Sequence, residues 1–239
     1  MNIISCTPVN TTLYGYPQHG CVYAIIVEVA AVNAQQEAAD ILKMVTDTSW
    51  TNSFDAIDKA SLLACAQPTI EKIVNSILHN VGNTIEKEFG EYLVSYSAKR
   101  ALVSQLSHID IPLSELFKEK ISGNPGFDFH TKSHNSLIVF GEAKYKSTHS
   151  AYKDAEDQLI DFLKMEPEKQ KHIKELKELR KFTGNQAAGK VLDGKFGVAA
   201  AFSTYSQNAD MVIKHAIEYD SFQQLLNNEE VYIIGVHIV

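Results

Sequence analysis

A central mixed sheet flanked by helices, an α/β (α+β) architecture, is what this sequence calls for, and three observations lead to it. Runs of β-branched and aromatic residues of strand length recur at 21–29, 137–144, 196–202 and 231–239. Stretches of good helix formers lie between them. From residue 126 the order is strand, strand, helix, strand, helix, strand, as a sheet with covering helices requires. The chain has 239 residues, 45% of them hydrophobic, and no Pro/Gly/Ser-rich linker divides it, so it can bury a large core.

Residues 1–33 read as β-rich, and the apolar stretch 22–32 is broken by Glu28 and too short to span a bilayer. Asn33 caps a helix over 33–44. A longer helical region over 55–79 is expected to be interrupted near Pro68, where an interior proline removes a hydrogen bond. Residues 1–80 are thus set apart as an N-terminal β/helical extension with an accessory or docking role, ahead of a core over 81–239. That core begins with a helix over 83–103, capped by Asn83. Asn124-Pro125-Gly126 is a turn signal. A short strand over 127–130, a polar turn over 131–135 and a strong strand over 137–144 follow. Helices are expected at 150–165 and, opened by Pro167 and heavily charged, at 168–181. A strand at 196–202, a helix at 209–226 and a strand at 231–239 complete the chain.

The strand over 137–144 carries the chemistry. Side chains alternate faces along a strand, so Glu142 and Lys144 share one face while Ala143 points opposite. Asp128 stands on the preceding strand. Charge without partners is costly to bury, so acids gathered with a lysine at a strand end point to a site. Asp128, Glu142 and the backbone carbonyl of Ala143 form a set of hard oxygen ligands suited to Mg²⁺ or Mn²⁺. His130, His134 and His149 make zinc imaginable, but zinc-type spacing is missing. Lys144 would stabilise the attacking hydroxide and the developing charge. The segment Gly184-Asn185-Gln186-Ala187-Ala188-Gly189-Lys190-Val191 nearly spells a P-loop. It ends in Val191 where Ser or Thr must hold Mg²⁺, and no apolar strand precedes it, so it reads as a basic loop instead. Lys146, Lys190 and His130 are the candidates for nucleic-acid contact.

At Asp128, Glu142 and Lys144 the chain resembles the PD-(D/E)xK nuclease superfamily, with Pro125 three residues ahead of the Asp rather than adjacent to it. The resemblance implies a restriction-endonuclease-like core and hydrolysis of DNA phosphodiester bonds. It also implies an acidic residue from the preceding helix, here Glu91 ahead of Glu88. Gln158, one turn before Phe162, resembles the Gln-x-x-x-Tyr element of one branch. The combination of Gly90-Glu91-Tyr92-Leu93, 126–130 and 140–144 is similar to nuclease subunits of bacterial antiphage systems of the Hachiman and AbpAB type. That implies a separate helicase partner, since helicase motifs are missing here. The alternatives are a small stand-alone restriction or repair endonuclease, or an inactive regulatory module of the same fold.

Charge fits a subunit better than an independent DNA-binding protein. The net charge is −7, yet residues 144–195 hold 12 Lys and Arg against 9 Asp and Glu, a net +3, and the remainder nets −10. Three cysteines, Cys6, Cys21 and Cys65, lack paired spacing and read as reduced thiols. With no signal-peptide pattern at the start, a cytoplasmic location is expected.

Overall fold

The computed structural model describes residues 1–30, 34–79, 87–117, 126–164, 166–206 and 208–239. The caps expected at Asn33 and Asn83 and the turn at Asn124-Pro125 lie outside the described residues. Seven strands form one sheet: β1 (Asn2–Pro8), β2 (Val22–Val29), β3 (Ile109–Asp110), β4 (Phe129–Lys132), β5 (Ile138–Lys144), β6 (Gly197–Thr204) and β7 (Glu230–Ile238). Their order is β1-β2-β7-β6-β5-β4-β3. The four central strands run parallel, and antiparallel β1 on one side and β4 and β3 on the other complete the mixed sheet.

Burial explains that arrangement. Every residue of β6 is buried, and all of β7 but His237, so these strands need cover on both faces, as parallel strands do. On one face Phe140, Phe202, Leu159, Ile160, Ile213 and Phe222 pack together under α5 (Tyr152–Lys164), α8 (Ala209–Ile217) and α9 (Asp220–Leu225). The opposite face buries Ile25, Val27, Phe129 and Ile234 under α1 (Ala34–Thr46) and α3 (Lys87–Leu106). Two glycines make close approach possible. A Cβ on Gly141 would stand 2.3 Å from the Phe129 ring, and one on Gly90 2.2 Å from the Tyr145 ring.

Several expectations are corrected. Pro68 does not interrupt its helix: α2 runs from Ala56 to His79 with the proline inside. Leu62, Ala66, Ile70 and Ile73 are buried along it, and that packing outweighs one missing backbone bond. The single helix expected over 209–226 is two, because Tyr219 turns extended (φ −76, ψ 142) between α8 and α9 and its hydroxyl donates to Asp157. The segment 184–191 is no loop. Gly184 takes a left-handed φ of 85 and starts α7 (Asn185–Leu192), directly after α6 (Glu166–Thr183). Finally, β2 lies in parallel register with β7 from Val22↔Val231 to Val29↔Ile238, so the N-terminal strands extend the same sheet that carries β5.

Candidate functional site

The pair β4–β5 stops at Phe129↔Gly141, so β5 projects past its neighbour. Asp128 sits beside that projection. Its N–H donates to the Gly141 carbonyl at 2.9 Å, and its Oδ2 accepts from the Ala143 N–H at 2.8 Å. Within a strand a residue's N–H and C=O face the same edge. The Ala143 carbonyl therefore looks toward Asp128, beyond the last rung of the β4 ladder.

Glu142 is fully buried. Lys144 Nζ reaches its Oε1 at 2.6 Å. Its Oε2 has no hydrogen-bond donor among the described residues, and the Asp128 side chain lies against the Glu142 carboxyl instead. Two carboxylates can bond each other only by sharing a proton. Burial first, and Asp128 second, push Glu142 well above the usual carboxylate range, although Lys144 pulls the other way. For Lys144, burial opposes the charged form, but Glu142, Asp128 and Glu91 outweigh it and the ammonium is held more firmly protonated.

From α3, Glu91 enters the same field. Burial raises its pKa and Lys144 lowers it, with Asp128 adding a rise. It lines a cleft of about 150 Å³ together with Glu88, Glu115, Asp128, Tyr92 and Lys72. The Tyr92 hydroxyl donates to Glu115 at 2.9 Å, and burial followed by that carboxylate raises the phenol's pKa.

The structure thus brings together Asp128, Glu142, Ala143 and Lys144, with Glu91 at the edge. Among the described residues no group of three or more His, Cys, Asp or Glu side chains is gathered for a metal ion. Two carboxylates, Asp128 and Glu142, and the backbone carbonyl of Ala143 remain, with Glu142 Oε2 lacking a donor among the described residues. Gln158 is half-buried on α5, one turn before Phe162, whose ring meets Phe127 edge-on, and makes no side-chain hydrogen bond among the described residues.

Two expected nucleic-acid contacts are corrected. His130 is fully buried, bonded to Ser114 Oγ at 2.7 Å, 3.1 Å from Glu175 Oε1 and ringed by Phe117, Phe127 and Phe140. No polyanion reaches it. Lys190 donates to the carbonyl of Asn135, in the β4–β5 turn, and so lies at the other end of β5 from Lys144. Seven residues of strand, roughly 23 Å at about 3.3 Å per residue, separate those ends. Lys146 stays at the site end, half-buried and paired with Asp154.

Sequence reasoning missed the hydrogen bond of Tyr92 to Glu115 and the packing of Tyr145 on Gly90. Only Gly90 offered a signal, for the second of these, since a glycine inside a helix often marks something packed close. No protein-family model, curated protein or solved structure matches this chain.

Proposed function

We propose that this chain is a divalent-metal-dependent deoxyribonuclease with a restriction-endonuclease-like core. The reading is carried by one observation: buried Glu142 gives one oxygen to Lys144, has no donor on the other among the described residues, and lies against the Asp128 side chain. Asp128, Glu142 and the Ala143 carbonyl would hold Mg²⁺ or Mn²⁺, and Glu91 would steady the cation's surroundings from α3. Such an ion supplies Lewis-acid polarisation of the phosphate and makes water more acidic. Lys144, kept protonated by its neighbours, places a positive charge where the phosphoryl oxygens become more negative. Rigid strands hold these groups, which the geometry of in-line attack demands.

The resemblance to antiphage nuclease subunits supports a cytoplasmic effector working beside a helicase-type motor. The net charge of −7 supports it too, because a chain this acidic holds a polyanion weakly and gains from delivery by a partner. A second reading, an inactive module of the same fold, is favoured by the absence of a three-residue ligand group among the described residues.

Incubation of plasmid DNA with the purified chain separates these readings. Cleavage in Mg²⁺ or Mn²⁺, stopped by EDTA and lowered at least about a thousandfold in Glu142→Ala, is the expected result, in line with losing a group that acts on the reacting atoms. Equal cutting by Glu142→Ala, or cutting that survives EDTA, would overturn the site. No cutting by the wild type, with or without a motor protein present, favours the inactive module.

A further inference from the structure

The segment that leaves β5 is built as an arch with both feet on one residue. Ser203 of β6 is fully buried. Its Oγ accepts from the Lys146 N–H at 2.9 Å and donates to the Lys146 carbonyl at 3.1 Å. At the far foot, its own carbonyl accepts from the Ala151 N–H at 3.1 Å, and Ser150 Oγ donates to Thr204 Oγ1 at 3.2 Å. Just before the arch, Tyr145 is clamped between Gly90 and the Tyr205 hydroxyl, which donates to it at 2.8 Å. Between the feet, Ser147, Thr148 and His149 are all exposed.

We propose that this Ser147-Thr148-His149 tip receives the sugar–phosphate backbone of a nucleic acid strand, and that the acid-lined cleft beside α3 is closed to it. The proposal rests on the nuclease reading and adds the side from which substrate lies across the site. Hydroxyl and imidazole groups are donors that suit phosphate oxygens without reading sequence. A tip whose feet are already tied loses little freedom on binding. The tip itself contains no acid, and the lysines that precede it, Lys144 and Lys146, balance Glu142 and Asp154 so that no net negative charge faces a strand there. On the other side of Asp128 acids prevail: among the described residues Glu88, Glu91, Glu115 and Asp128 stand against Lys72 and Lys87, the latter 3.9 Å from Glu91. A phosphate approaching there meets like charge. The backbone therefore crosses on the side of β6.

Binding measured apart from cutting tests this. The full chain is titrated in EDTA against fluorescently end-labelled duplex and single-stranded DNA, and anisotropy is read at low salt. Thr148→Glu places a negative charge at an exposed position and should weaken binding about tenfold with melting unchanged, whereas Glu88→Gln at the cleft should stay within about twofold of wild type. Ser203→Ala, which unties the near foot at Lys146 and leaves the far foot in place, should weaken binding as well. Wild-type affinity in Thr148→Glu, a larger change in Glu88→Gln than in Thr148→Glu, or no wild-type binding to either DNA overturns the proposal. Failure of the nuclease reading is seen separately: tip-dependent binding would persist while the wild type cuts nothing in Mg²⁺ or Mn²⁺.

Discussion

The two ends of the sheet each bury a glutamate, and they treat it differently. At the end where β7 begins, Glu230 is 1% exposed and both its oxygens are met by neutral donors. Ser133 Oγ and Asn135 Nδ2 donate to Oε1 at 3.0 and 2.8 Å, and the Tyr232 hydroxyl donates to Oε2 at 2.8 Å. At the end where β5 stops, Glu142 has a lysine on one oxygen, no donor on the other among the described residues, and a second acid, Asp128, against its carboxyl. The first arrangement is complete by itself and ties the β4–β5 turn to β7. The second is completed only by a proton or a cation. A buried carboxylate marks a site through what its partners leave unfinished, not through burial.

Substitution at Glu230 should produce the largest stability change. Glu230→Ala strands two buried donors, Ser133 and Tyr232, while water can meet the exposed Asn135 amide; at about 1–3 kcal/mol for each group left unsatisfied, a loss of about 4 kcal/mol is expected in urea denaturation. Glu142→Ala should lose far less, since it also removes a carboxylate–carboxylate contact. If the two variants lose equal stability, the contrast between the ends fails.

A third buried acid sharpens the comparison. Glu156 on α5 is fully buried and neither oxygen has a partner among the described residues. Burial, and after it Asp157, push its pKa up to about 9. Its folded pKa is thus above the unfolded value near 4.5, so the native state holds a proton the unfolded chain has lost. Stability therefore falls as pH rises from about 4.5 toward about 9. Glu156→Met should remove that slope and gain on the order of 2 kcal/mol at pH 8, with little gain at pH 4. Melting curves across pH check this, and a gain that does not depend on pH would show that the acid is not the cause.

The smallest effect belongs to the metal. Mn²⁺ at ten times its Kd should stabilise the wild type by about 1.4 kcal/mol. Glu142→Gln should abolish the shift, while Glu230→Gln, at the finished end, should retain it. An equal Mn²⁺ shift in Glu142→Gln would place the cation elsewhere.

Much of the sheet was legible because its signals are local. The apolar run into Glu142-Ala143-Lys144 predicts a strand and the faces of its side chains, and β5 is there with Asp128 beside it. What escaped depends on distant partners. The pairing of β2 with β7 joins residues about 200 positions apart, which no window of sequence can show. Pro68 continues its helix because of packing supplied from elsewhere in the chain. His130 looked available beside Asp128, but its face is that of Phe140, its partner across the ladder, and both point into the aromatic core. Lys190 stood close to the site only in the P-loop-like spelling of its segment.

The place of β7 has a consequence for how the molecule is made. Strands β1 and β2 emerge early from the ribosome, and β2 finds its parallel neighbour only when β7 follows about 200 residues later. At about 5–20 residues per second that is a wait of roughly 10–40 s, during which an apolar edge stands open. Pairings of such long range also fold slowly. Cutting away residues 1–80 would leave the β7 edge in that open condition permanently, and the product should aggregate. Docking by the N-terminal region is therefore best mapped by substitutions on its outer surface, such as Ile4, Leu13 and Ile57, whose side chains stand in solvent and hold no strand in place.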